Sequence, residues 1–302
     1  MRVLLTNDDG VGAPGLGALT RALARWAGDR HELVVVAPAR NYSGAGAAVG
    51  VVEDRTVIPY HRARMPGAEH VEAYGLEASP ALSVIAGALG AVGPKPDLVV
   101  SGINHGVNVG RSILHSGTVG ACLTASQLGI AALAVSLRAG VSPDPWESAA
   151  DIAVSLLDLL ASAPPRTVLN LNVPALPLAE IKGVRWARVS GAGLIKAAAG
   201  RQPSSTPNPP EMEGPAAAEG TRAVMEGAGA GAVDGEIILT VGSPFPSENG
   251  PLSDHAEDSA LVAQGFAALT ALRGPRAEDD PELIGLLGSG LPAALAPLGL
   301  AD

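Results

Sequence analysis

Asn7-Asp8-Asp9-Gly10 sets two carboxylates side by side at the end of a short apolar run. Adjacent carboxylates repel each other, and a hard divalent cation is the simplest relief. The plainer alternative is that one aspartate caps the next helix and the other faces water. A second segment, Arg40-Asn41-Tyr42-Ser43-Gly44-Ala45-Gly46, carries a hydroxyl, an amide and exposed N–H groups. It reads either as an anion-binding nest or as an ordinary turn. The richest segment is Ser101-Gly102-Ile103-Asn104-His105-Gly106-Val107-Asn108-Val109-Gly110, continued by His115-Ser116-Gly117-Thr118. Asparagine carbonyls are ligands for hard metals, and glycines let backbone N–H groups approach phosphate oxygens. A helix opening after Ser116 would add a positive dipole end.

These groups are acids, amides, hydroxyls and N–H donors. There is no Cys/His cluster for zinc, no G-x-S-x-G elbow and no Walker lysine. The chemistry implied is hydrolysis of a phosphate ester assisted by a hard cation. Gly10-Val11-Gly12-Ala13-Pro14-Gly15 does match the dinucleotide fingerprint. Two aspartates would repel a pyrophosphate there, and the second strand ends in Ala37-Pro38-Ala39-Arg40 rather than an acid for a ribose, which weakens that reading. Arg40 would still suit a 2′-phosphate, and the plainer alternative is that the glycines only permit a tight turn.

The elements that must hold these segments are short and apolar. Strands are expected at 3–6, 33–37, 51–60, 98–101, 131–137 and 167–172. Helices are expected at 16–26, 81–91, 119–128 and 147–161. This alternation predicts an α/β fold with a mostly parallel sheet and helices on both faces. All three chemical segments then fall at carboxyl ends of strands, where open α/β sheets bind ligands. Residues 196–235 show no helical or strand period and read as a mobile arm, an inserted loop or an oligomer contact. A strand at 236–241 follows, then a helix over 253–272 capped by Ser253 or Asp254. The expected division is a catalytic core (1–195), an arm with a late strand (196–252), and a C-terminal helix and tail (253–302).

The 302 residues are 47% hydrophobic, enough for a large core without disulfides, and the one cysteine, Cys122, forms none within the chain. A net charge of −10 with 3% aromatics argues against nucleic-acid partners. The uncharged stretch 112–137 carries too many polar and glycine residues for a membrane span. No leader is expected at Met1-Arg2, and a reducing cytoplasmic setting fits the cysteine count.

In combination these segments resemble the SurE (survival protein E) nucleotidase family. The likeness rests on Leu4 to Gly10 with Ala13-Pro14-Gly15, on Val35 to Pro38 with Arg40 to Gly44, and on Ser101 to Gly110 with Ser116 to Gly120. Leu169 to Pro174 is similar to its later strand. The resemblance implies a Rossmann-like core with a C-terminal oligomerisation arm. It implies hydrolysis of nucleoside 5′- and also 3′-monophosphates with one Mg²⁺ or Mn²⁺. Asp8, Asp9, Ser43 and Asn104 would bind the metal, and Asn108 and Ser116 would contact the phosphate. Asp8, Asn108 and Ser116 would form the catalytic set. Homodimers or homotetramers with exchanged C-terminal elements are also implied. The chain departs from the family at His115, Thr124, Leu82 and the Thr221-Arg222 pair, none of them an implied metal ligand. Two rival readings share these features: a phosphatase of another phosphorylated metabolite, and a metal- or nucleotide-binding module without turnover.

Overall fold

The computed structural model describes residues 1–140, 144–191, 195–203, 235–241, 245 and 257–274. In chain order these are β1 (Arg2–Thr6), α1 (Pro14–Ala27), β2 (Glu32–Pro38), β3 (Tyr60–Ala63), β4 (Glu72–Leu76), α2 (Pro80–Ala88) and β5 (Leu98–His105). A 3₁₀ turn (Gly110–His115) leads into α3 (Gly117–Gln127), β6 (Ala131–Leu137), α4 (Trp146–Ser155), α5 (Leu157–Ser162) and β7 (Val168–Val173). Then come β8 (Val184–Trp186), β9 (Ile195–Pro203), β10 (Gly235–Val241), α6 (Asp258–Ala263) and β11 (Ala267–Leu272).

Nine strands form one sheet in the order β3-β4-β2-β1-β5-β6-β7-β11-β8. From β4 to β7 every pair is parallel. Alternate residues face opposite ways, so Val3 and Leu5 enter one apolar layer and Leu4 the other. The first layer packs against Leu16, Leu19 and Leu23 of α1 and Ile152 of α4. The second packs against Val84 of α2 and Val119 and Cys122 of α3. Both faces are therefore covered, as continuous apolar strands require. The chain runs outward through β2 and β4, then returns to the other side of β1 as β5. That reversal creates a crevice between the carboxyl ends of β1 and β5.

Four expectations need correction. Residues 51–59 are not a strand, and only Tyr60–Ala63 pairs, antiparallel to β4. Val51, Val52 and Val57 are exposed, so β-branched residues found no pleated surface to cover. The helix expected at 147–161 is two, meeting at Leu156. Residues 257–272 are not one helix. Gly265, at φ 87°, follows the last turn of α6, and β11 then pairs antiparallel with β7. Residues 195–203 do form a strand, paired antiparallel with β10 in a separate two-stranded sheet. The supposed caps Ser253 and Asp254, and the tail from 275, lie outside the described residues.

No helix among the described residues is long and apolar enough to cross a membrane. The uncharged 112–137 stretch is divided among the 3₁₀ turn, α3 and β6.

Candidate active site

The three segments meet at the crevice through specific backbone contacts. The first turn binds the second strand where the Val11 N–H donates to the Pro38 carbonyl at 2.7 Å. The Tyr42 N–H donates to the Asp8 carbonyl at 2.7 Å, which holds the second segment against the first. The Gly46 N–H donates to the His115 carbonyl at 3.0 Å, joining the second segment to the third. A Cβ at Gly120 would collide with the Gly46 backbone, so the small residue permits this approach. The fingerprint glycines have other work. Gly10 takes a turn at φ 103°, Gly15 lies against the Ile103 carbonyl, and Gly12 faces open space.

Asp8 is buried, and both its oxygens accept hydrogen bonds from Thr118. The Thr118 N–H reaches Oδ2 at 3.1 Å and the hydroxyl reaches Oδ1 at 2.6 Å. Asp8 does not cap α1, whose N-cap is Ala13 without a side-chain bond. Burial raises the Asp8 carboxyl above its ordinary range, against the opposing Thr118 bonds. Asp9 Oδ2 accepts the His105 N–H at 3.3 Å, placing the second carboxylate beside the third segment. Desolvation and then the Asp8 charge push Asp9 up to about 6.

Asn104 donates through Nδ2 to the Gly106 carbonyl at 2.7 Å, which leaves its amide oxygen as an acceptor. Ser43 is exposed, with its N–H bonded to Asn41 Oδ1 at 2.7 Å. Ser116 caps α3, its Oγ accepting the Val119 N–H at 3.1 Å. Asn108 is buried, and its Nδ2 donates to Ser136 Oγ at 2.8 Å.

Among the described residues, neither Asp8 nor Asp9 is paired with a lysine or arginine. No group of three or more His, Cys, Asp or Glu side chains forms a metal cluster there either. Two desolvated carboxylates, an amide oxygen and a hydroxyl are a hard-oxygen donor set that fits a divalent cation. The start of α3 beside them, with Gly117 and Thr118 against Asp8, suits an anion.

Sequence reasoning gave Thr118 no role as the partner of Asp8, although its place in the first turn of α3 was a signal. It placed Asn170 and Asn172 in the later strand but gave no role to either, two amides at alternate positions of an otherwise apolar strand. Among the departures, His115 is exposed and joins the segments through its carbonyl, so its side chain is not needed for that contact. Thr124 bonds the Gly120 carbonyl, and Leu82 packs on the α2–α3 layer. Thr221 and Arg222 lie outside the described residues.

Fold and site define a Rossmann-like α/β protein whose switch-point crevice is lined with oxygen donors and faces a helix start. The chain belongs to the survival protein SurE family, whose model matches residues 3–194. It is 43% identical over 190 residues to the 5′/3′-nucleotidase SurE of Cronobacter sakazakii, covering 62% of this chain and 69% of that protein. It is 41% identical over 216 residues to the 5′-nucleotidase SurE of Pseudomonas entomophila, covering 71% and 79%. The crystal structure of the SurE protein from Aquifex aeolicus superposes with a TM-score of 0.66 at 26% identity, over 96% of this chain and 99% of that one.

Proposed function

We propose that this protein is a phosphoric monoester hydrolase that converts nucleoside 5′-monophosphates, and also 3′-monophosphates, to nucleoside and phosphate. One observation carries the reading: Asp8, desolvated and held by Thr118, sits where the first and third segments meet at the start of α3. The family membership and the names of its relatives support it.

Asp8, Asp9, Ser43 and Asn104 would hold one divalent cation, Mg²⁺ or Mn²⁺. When bound, it supplies Lewis-acid polarisation of the phosphoryl group and a nucleophilic water. Asn108 and the N-terminal turn of α3, capped by Ser116, orient phosphoryl oxygens and stabilise the charge that grows on them. Asp8 remains ionised in that state because the cation offsets the burial that otherwise raises its pKa.

The reading includes a cytoplasmic homodimer or homotetramer. A lone two-stranded hairpin is at best marginally stable in water. The β9–β10 pair forms its own sheet among the described residues, which supports a role in contact with another copy.

The test is phosphate release from a panel of nucleoside 5′- and 3′-monophosphates and non-nucleotide phosphate esters, with and without Mn²⁺. Mn²⁺-dependent release from nucleotides is the expected result. Turnover confined to the other esters, or none at all, would overturn the proposal.

A further inference from the structure

β7 reads Val168-Leu169-Asn170-Leu171-Asn172-Val173 and is buried along its whole length. Leu169 and Leu171 enter the apolar layer against α1 and α4. Asn170 and Asn172 share the other face, and both are fully buried. Amides inside a covered parallel sheet are costly unless bonded.

Both are bonded to a single residue, Asn108. Asn172 Oδ1 accepts the Asn108 N–H at 2.7 Å, and Asn172 Nδ2 donates to the Asn108 carbonyl at 3.0 Å. Asn170 Nδ2 donates to the same carbonyl at 2.9 Å. One carboxamide thus satisfies both main-chain groups of Asn108, as a neighbouring strand would. Ser136 of β6 then takes the Asn108 side chain. Two residues on, the Gly110 N–H donates to the buried Asp258 Oδ2 at 2.9 Å, while Asp258 Oδ1 accepts the N–H groups of Ser190 and Ser259.

We propose that Asn170 and Asn172 are positioning residues that fix Asn108 for the phosphoryl group, and that Asp258 anchors the far end of the same loop. This rests on the role of Asn108 in the proposed function. The physical requirement is tight, because a misplacement of about 1 Å in an oriented group costs about 10²-fold in rate. The Asn172 carboxamide supplies the acceptor and the donor from two separate atoms, Oδ1 and Nδ2.

The experiment compares the full-length protein with Asn172→Leu and Ser136→Ala. It measures kcat and KM on adenosine 5′-monophosphate with Mn²⁺, Mn²⁺ affinity by calorimetry, and amide hydrogen exchange over residues 104–112. In Asn172→Leu, kcat should fall about 10²-fold. KM and Mn²⁺ affinity should stay within about threefold, and the Asn108 amide should exchange faster. Ser136→Ala should lower kcat by less and leave main-chain exchange unchanged. Unchanged exchange in Asn172→Leu overturns the proposal, as does faster exchange with kcat retained. Parallel loss of kcat and Mn²⁺ affinity also overturns it, because the loop would then be a metal scaffold. If Asn172→Leu does not fold, Asn170→Leu, which removes one of the two donors to the Asn108 carbonyl, is read by the same criteria. Should the wild type release no phosphate from the nucleotide, the functional reading fails. Exchange alone then decides the positioning, with acceleration supporting it and no change overturning it.

Discussion

Thr118 grips Asp8 with two hydrogen bonds, one from its N–H to Oδ2 and one from its hydroxyl to Oδ1. The two residues are 110 positions apart in the chain, at the end of β1 and in the first turn of α3. The carboxylate is buried with no cationic side chain opposite it among the described residues. Thr118 therefore orients the charge without neutralising it.

Asp8→Asn should separate stability from activity. Removing a desolvated charge beside Asp9 relieves repulsion, so the metal-free variant should resist urea better than wild type at pH 7. Turnover at limiting Mn²⁺ should fall about 10²-fold or more, because a charged ligand is lost. Wild-type turnover at limiting metal would refute the ligand role of Asp8.

Thr118→Val removes the hydroxyl donor and keeps the shape. Leaving a buried polar atom without its partner costs about 1–3 kcal/mol, and the metal-free protein should lose stability on that scale. Urea denaturation checks this, and an unchanged midpoint would show that the hydroxyl does not support the carboxylate.

The pH dependence follows from the direction of the shifts. Asp9 is raised from 3.8 to about 6, and Asp8 is raised as well. The folded state thus holds these protons more tightly than the unfolded chain. The Asp9 contribution to stability is complete below about pH 4 and is lost as pH rises through about 6, and Asp8 acts in the same direction. The metal-free melting temperature should therefore decline across this window, after allowance for other groups. Mn²⁺ should raise it more at pH 7 than at pH 5, and an equal rise at both would contradict the assignment.

Gly117→Ala probes the fit of α3 against Asp8. A Cβ there would lie 2.7 Å from Asp8 Cβ and 2.9 Å from Oδ2. Overpacking of this kind costs about 1–3 kcal/mol. Displacing Asp8 should reduce kcat about 10²-fold. Normal kinetics in the variant would mean that Asp8 tolerates movement.

Deleting residues 195–241 removes the β9–β10 hairpin and leaves β11 in the core sheet. Light scattering should show an oligomer for the intact chain and a smaller species for the deletion. A cut at 195 is different, because it also removes α6 and β11, and it should destabilise the fold itself.

The segments that meet in the candidate site were legible in the sequence because each is local. Asp8-Asp9, Ser43 and Asn104 each follow a short apolar run, and a parallel sheet brings the ends of such runs to one edge. Strand period, glycine-rich turns and oxygen-bearing side chains are properties of a few consecutive residues. The tertiary structure alone decided the rest. β11 resembles the continuation of a helix until the open edge of β7 supplies its hydrogen-bond partners. β9 has no apolar period and becomes a strand only against β10. Thr118 acquires its role from Asp8, and Asn170 and Asn172 acquire theirs from Asn108. A hydrogen bond between residues 60 or more positions apart leaves no periodic trace in either segment, since each side chain is polar for a partner that only the fold supplies.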